Sequence, residues 1–249
     1  MFETKEKILN QIDASKTKSN HKSLDIIIEY LFNNDREIKL SSIEALSSFV
    51  EFPKAKLTLI ELTEDRDIEY RYTALEALRD FSGDDVEKAI EKRLNDNNEI
   101  VRITAIEALG YRKAEKSIIS LIKLLEDKKE LVRRYAAIIL GEIGDTELIP
   151  TLKFKLDKER RNTVRLGYYI ALYSLGEENF LKDILKLLKN KSYRIRCATA
   201  NELKIIVNTR NYKTIIENLN SALERENTIA AKSSILDTLS VILNGKYSE

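Results

Sequence analysis

Three glutamates, Glu44, Glu76 and Glu107, recur at steps of 32 and 31 residues. A row of carboxylates at such spacing has two chemistries open to it: holding a cation, or serving as general acid and base. Both need further donors, and the chain is poor in them. Its one histidine, His21, stands in the polar stretch Ala14–Lys22 with no Cys, Asp or Glu arranged around it as ligands. One histidine and one cysteine cannot complete a structural zinc site. Cys197 lies beside Arg196, which could lower a thiol pKa, but a small buried residue is the plainer reading. No Gly-rich phosphate loop, Gly-x-Ser-x-Gly elbow or dinucleotide fingerprint occurs. The expectation is therefore no cofactor, no metal and no catalytic residues.

A second row is basic: Lys39, Arg71, Arg102, Arg133, Arg165 and Arg196, at steps of 32, 31, 31, 32 and 31 residues. Six residues ahead of each stands Asn33, Asp65, Asp96, Asp127, Glu159 or Asn190. Guanidinium groups in a row could bind phosphate or an acidic peptide. The same groups could instead reach a carboxylate in their own or the neighbouring turn, which makes them a structural ladder, and that is the expected role. A fixed period near 31 residues means stacked helical hairpins rather than separate domains.

The elements that position these rows can be read from periodicity. Counting Val101 as zero, Ala105, Ala108 and Leu109 fall at +4, +7 and +8, one buried helical stripe. Val132, Ala136, Ile139 and Leu140 repeat it, as do Tyr70, Ala74, Ala77 and Leu78 one period earlier. Small residues here allow close helix approach. Gly110 and Gly141 read as left-handed C-terminal caps. Between these helices lie other amphipathic segments, such as Ile118–Leu125 and Leu148–Leu156, with Pro53 and Pro150 near segment starts. Seven Gly and two Pro in 249 residues are too few for a many-stranded β-protein. The fold expected is all-α, with 1–13 a capping helix, 14–22 an exposed loop, and 210–243 a degenerate final pair. That pair should lack the basic landmark and present a polar outer face.

The pattern resembles the short HEAT repeat of the phycobilisome-lyase type, roughly Asp-x-x-x-x-Val-Arg-x-x-Ala-x-x-Ala-Leu-Gly. Asp96, Val101, Arg102, Ala105, Ala108, Leu109 and Gly110 carry it, as do Asp127, Val132, Arg133, Ala136, Leu140 and Gly141. The resemblance implies one domain over 1–249, a right-handed α-α superhelix of about seven hairpins. Residues 1–22 would be cap and loop, 23–208 about six repeats, and 209–249 a degenerate capping repeat. Such repeats serve scaffolds, adaptors, lyases and nucleic-acid binders alike.

Surface chemistry is where copies differ. The +2, +3 and +6 positions of the second helices should line the concave side. They carry Glu44, Glu76 and Glu107, then Tyr72, Arg134, Tyr135, Leu166 and Tyr173, so the groove should be acidic first and aromatic later. Such residues suit protein contacts; the tyrosines could equally fill gaps in the stack. The net charge of +1 hides a division. Residues 23–150 hold 19 Lys and Arg against 27 Asp and Glu, while 151–213 hold 15 against 6. Lys153, Lys155, Lys158, Arg160 and Arg161, with Lys191 and Arg194, form the candidate anion or nucleic-acid patch. That bipolarity also permits weak head-to-tail self-association.

The expected function is a non-catalytic scaffold or adaptor holding a partner protein in the groove. Stand-alone small HEAT arrays resemble assembly factors and toxin-neutralising immunity proteins, narrower versions of the same class. The first alternative is nucleic-acid binding through the basic patch, as in HEAT-repeat DNA glycosylases. The second, a bilin-lyase-like enzyme, comes from the repeat subtype alone. No stretch is long and apolar enough for a membrane span or signal peptide, so a cytoplasmic protein without membrane attachment is expected.

Overall fold

The computed structural model describes residues 4–245. Among them lie fifteen α-helices and no strand. Helix α1 (Lys5–Lys18) is followed by seven hairpins. These are α2 (His21–Tyr30) with α3 (Arg36–Leu46), α4 (Pro53–Leu62) with α5 (Ile68–Ala77), and α6 (Asp84–Lys92) with α7 (Glu99–Tyr111). Then come α8 (Ile118–Leu124) with α9 (Glu130–Ile143), α10 (Ile149–Lys158) with α11 (Asn162–Ser174), α12 (Phe180–Lys186) with α13 (Tyr193–Ile206), and α14 (Tyr212–Arg225) with α15 (Ile229–Asn244). The chain forms two compact units, one up to Leu121 and one from Ile122, the division falling inside α8.

In unit 1 the helices α3, α5 and α7 pack side by side, with α2, α4 and α6 against them and α1 closing the row on α3. The small-residue stripe explains this order. Val101, Ala105, Ala108 and Leu109 are fully buried, as are Ala74 and Leu78 one repeat earlier. Each large apolar side chain removed from water contributes about 1.5–3 kcal/mol. Helix starts are set by side chains: Asp35, Asp67 and Asn98 accept from amides in the first turns of α3, α5 and α7 at 2.8–2.9 Å. Pro53 opens α4 where a missing N–H costs nothing.

In unit 2 the second helices α9, α11, α13 and α15 form one layer, and α10, α12 and α14 cover it. The α9–α11 contact is the tightest point. A Cβ added at Gly141 would come within 2.8 Å of the Ala171 Cβ, and one at Gly167 within 2.7 Å of the Arg134 carbonyl oxygen. Both glycines serve close approach of two helices.

Gly110 and Gly141 are therefore not C-terminal caps. Both lie buried inside helices that run on to Tyr111 and Ile143. After α7 the left-handed residue is Lys113 at φ 50°, and after α11 it is Gly176 at φ 97°. The expected loop at 14–22 is also shorter. Helix α1 continues to Lys18 because Ile8, Ile12 and Ser15 bury one face, and the break is confined to Ser19 and Asn20. Residues 1–3 of the expected capping helix lie outside the described residues. The polar outer face expected of the last pair is not found on α15, where Ile229, Leu236 and Leu243 are exposed. The basic landmark there is out of the 31-residue period and keeps only its offset, without, among the described residues, the side-chain contact that Arg196 makes. Lys232 stands six residues after Glu226, which accepts from the Thr228 amide at 2.9 Å.

Candidate functional site

The basic row makes one repeated contact. Arg71, Arg102, Arg133, Arg165 and Arg196 each donate from Nη1 to the backbone carbonyl six residues earlier, on Asp65, Asp96, Asp127, Glu159 and Asn190, at 2.7–2.9 Å. Those carbonyls close the turn before each second helix. Arg71, Arg133 and Arg196 also cross to the following repeat. Arg71 grips both oxygens of Asp96 at 2.9 Å, Arg133 donates to Glu159 at 2.9 Å, and Arg196 grips Glu226 at 2.6 and 2.7 Å. Arg165 turns instead to the Tyr169 hydroxyl, because the corresponding residue of the next repeat is Asn190. Lys39 sits 5.9 Å from the centre of the Tyr70 ring.

The acids feel these contacts. Burial pushes the Asp96 carboxyl up, but hydrogen bonds from Arg71 and the Asn98 amide outweigh it and hold it below the usual carboxylate range. Glu159 is held low in the same way by the Arg161 amide and Arg133. The Arg196 hydrogen bonds bring Glu226 down to about 2.

On the face of unit 1 the structure brings Glu44 and Glu76 together. They line a concavity of about 410 Å³ with Ser47, Thr73, Arg79, Asp80 and Tyr111. Three exposed carboxylates thus face one partly shielded cation, Arg79, which lies 3.6 Å from Glu76. The Tyr111 hydroxyl donates to Asp80 at 2.8 Å, and its ring is 61 % exposed. Glu107 is half-buried on α7 and does not line this concavity. Tyr72 belongs to a neighbouring one of about 450 Å³, where its hydroxyl donates to Glu69. Hydrogen bonds from Arg36, then from Tyr72, hold Glu69 below the usual carboxylate range.

Unit 2 treats the same face differently. Arg134 is buried, donating to buried Glu202 two repeats on, and crosses α11 where Gly167 leaves room. Leu166, Ile138 and Ile170 are buried as well. The expectation of an exposed Arg134 and Leu166 is corrected: Gly141 and Gly167 let α9 and α11 approach so closely that this face is used for packing. Tyr135 is half-buried with the Arg134 guanidinium 5.7 Å from its ring centre. Tyr173 is half-buried and accepts from Asn211 at 2.8 Å.

The basic patch is partly neutralised. Lys153 pairs with Glu177 at 2.9 Å, Arg161 with Glu130 at 3.2 Å, and Lys155 with Glu126. Lys158 lies 3.7 Å over the Phe154 ring. Arg160 and Lys191 are exposed without an ion-pair partner among the described residues, and Arg194 donates to the Tyr193 hydroxyl at 3.5 Å and lies 5.9 Å from the centre of that ring. Sequence reasoning missed Arg36, Asp80, Tyr111 and Glu202. For the first three the signal was the period itself. Arg36 reaches Asp67 and Glu69, and Tyr111 reaches Asp80, at separations of 31–33 residues. No three His, Cys, Asp or Glu side chains gather to hold a metal ion among the described residues. Nor is any helix there long and apolar enough to cross a membrane.

Three overlapping stretches, 53–134, 86–172 and 120–204, match the HEAT repeats family. The chain belongs to the HEAT-repeat family. No curated protein matches it. Among solved structures it is similar to the complex of CpcE and CpcF of phycocyanin lyase from Nostoc sp. PCC7120. That likeness has a TM-score of 0.61 and 18% identity, covering 88% of this chain and 94% of that one. It is also similar to YibA of Escherichia coli, with a TM-score of 0.55 and 21% identity over 96% of this chain and 98% of the other. At these identities the likeness is one of fold.

Proposed function

We propose that this HEAT-repeat chain is a non-catalytic protein-binding scaffold, and that unit 1 carries the binding face. The observation behind this reading is the convergence of Glu44, Glu76 and Asp80 on one open concavity with exposed Tyr111 beside them. Carboxylates around an aromatic ring suit a basic segment of a partner protein, with charge steering the encounter and the ring supplying contact area. Glu107 extends the acidic row by one repeat. A fold relative solved as a two-protein complex is in keeping with this use. An assembly factor and a toxin-neutralising immunity protein are the two narrower forms of the reading.

Nucleic-acid binding is the second reading, favoured by exposed Arg160, Lys191 and Arg194 on unit 2. Two titrations on the full chain separate the readings. The first uses fluorescent Lys/Arg-rich peptides, helical and extended. Binding at low salt, abolished by Glu44→Lys with Glu76→Lys, is the expected result. The second is a gel shift with single-stranded and duplex DNA at about 50 mM salt, where backbone contacts are strongest. Retention of DNA that is lost in Arg160→Glu with Lys191→Glu, with no peptide binding, replaces the scaffold reading.

A further inference from the structure

Helix α15 repeats the register of α13. Asn190 and Glu226 each accept from the amide two residues on, that of Ser192 or Thr228, and Arg196 and Lys232 follow at the same offset. Ala200 on α13 therefore corresponds to Leu236 on α15. Their surroundings differ. Ala200 is fully buried, and its carbonyl accepts from the Thr238 hydroxyl of α15 at 2.9 Å. Leu236 is 53 % exposed, on a flank that no described helix covers.

Ile229 and Leu243 stand seven residues to either side, 86 % and 66 % exposed. Seven residues make nearly two turns, so the three form one stripe, roughly 160° round the helix from Thr238. Ser233 and Ser240, small and neutral, lie beside it, and Lys232 is its one charge. The terminal helix of unit 1 is unlike this: exposed residues of α1 include Lys5, Glu6, Asn10, Asp13 and Lys18. A helix at the end of a stack needs such a polar face if it is to meet water.

We propose that the α15 stripe is a homodimer interface, with α15 of one copy packed antiparallel on α15 of a second about a two-fold axis through Leu236. The stripe is symmetric about Leu236. Reversal brings Ile229 opposite Leu243 of the second copy and Leu236 opposite itself, the self-complementarity an isologous contact requires. Charge selects the same arrangement. A parallel pair would set Lys232 against Lys232, whereas the antiparallel pair sets it opposite Ser240. Exposed Lys213, Glu217 and Glu224 on α14 leave a charged surround to an apolar centre.

Sedimentation equilibrium of the full chain at high micromolar concentration should give twice the 28.7 kDa chain mass. Leu236→Asp should weaken association by at least about tenfold while leaving the helical circular dichroism unchanged, and the melting curve unchanged at a dilution where both proteins are monomers. Cysteine scanning in a Cys197→Ser background tests the axis without a disruptive charge. With diamide as oxidant, Leu236→Cys should cross-link to itself. Ile229→Cys should cross-link to Leu243→Cys in a mixture faster than to itself. A monomer at every concentration, dimerisation unaffected by Leu236→Asp, or preferential self-linking of Ile229→Cys would each overturn the proposal.

Discussion

The two units spend one repeat in opposite ways. In unit 1 the second helices begin at Asp35, Asp67 and Asn98, whose side chains cap them. In unit 2 the same positions hold Lys129, Arg161, Ser192 and Thr228, and none makes a side-chain cap. At the +6 position unit 1 exposes Glu44 and Glu76, whereas unit 2 buries Ile138 and Ile170 and strings the Arg134–Glu202 pair across α11. Core positions set by the consensus are alike in both. The difference lies in whether the variable face is left open to a partner or consumed by packing. Two glycines decide that, because Gly141 and Gly167 let α9 and α11 close on each other.

The largest effect separating the units should come from Arg134→Ala. It strands Glu202, whose side chain is only 10% exposed. Breaking one partner of a buried pair costs about 3–5 kcal/mol, read from urea unfolding. Arg134→Met with Glu202→Leu should recover most of that loss, and a single-variant loss below about 1 kcal/mol would remove the pair from the account. Next comes the ladder. Arg71→Ala leaves buried Asp96 with only the Asn98 amide and the more distant Arg93, 3.7 Å away, for about 3 kcal/mol. Arg165→Ala loses hydrogen bonds to uncharged acceptors only, the Tyr169 hydroxyl and two carbonyls, for about 1 kcal/mol. Equal losses would mean that the cross-repeat carboxylate contributes nothing.

These contacts show where the sequence was readable. The Arg71-to-Arg196 period, the small-residue stripe and the seven hairpins follow from one repeating pattern, because burial of Val101, Ala105 and their equivalents obeys helical periodicity. The fate of Arg134 was not legible. Its type and +2 position match an exposed groove residue; only the distance between α9 and α11 buries it, and that distance depends on Gly167 one repeat away. Gly141 misled for a related reason, since a glycine near a helix end serves a cap and a close helix contact equally well. Glu44 and Glu76 could be placed from their spacing, but Asp80 lies in the turn after α5 and Tyr111 at the end of α7, and they join the glutamates only through the fold.

Gly141→Ala tests that distance. Its Cβ meets Ala171, so overpacking should cost about 1–3 kcal/mol by thermal melting, and Gly110→Ala inside α7 gives the unit 1 comparison. A smaller effect is expected in acid. The folded Glu226 carboxyl, at about 2, lies below its ordinary 4.5. Its contribution is therefore complete above about pH 4.5 and fades as pH falls toward 2. Glu226→Gln should flatten that part of the stability–pH curve and leave the neutral range parallel to wild type. An unchanged acid limb would show that Arg196 does not hold the carboxylate.

The smallest stability effect should come from the glutamates proposed to matter most for binding. Glu44→Lys with Glu76→Lys changes exposed side chains and should shift unfolding by no more than about 0.5 kcal/mol. The most direct measurement is quantitative affinity capture from native lysate with three full-length baits: wild type, Glu44→Lys/Glu76→Lys, and Arg160→Glu/Lys191→Glu. The account predicts that proteins enriched by wild type are lost with the first variant and kept with the second. Loss with the unit 2 variant alone would contradict it.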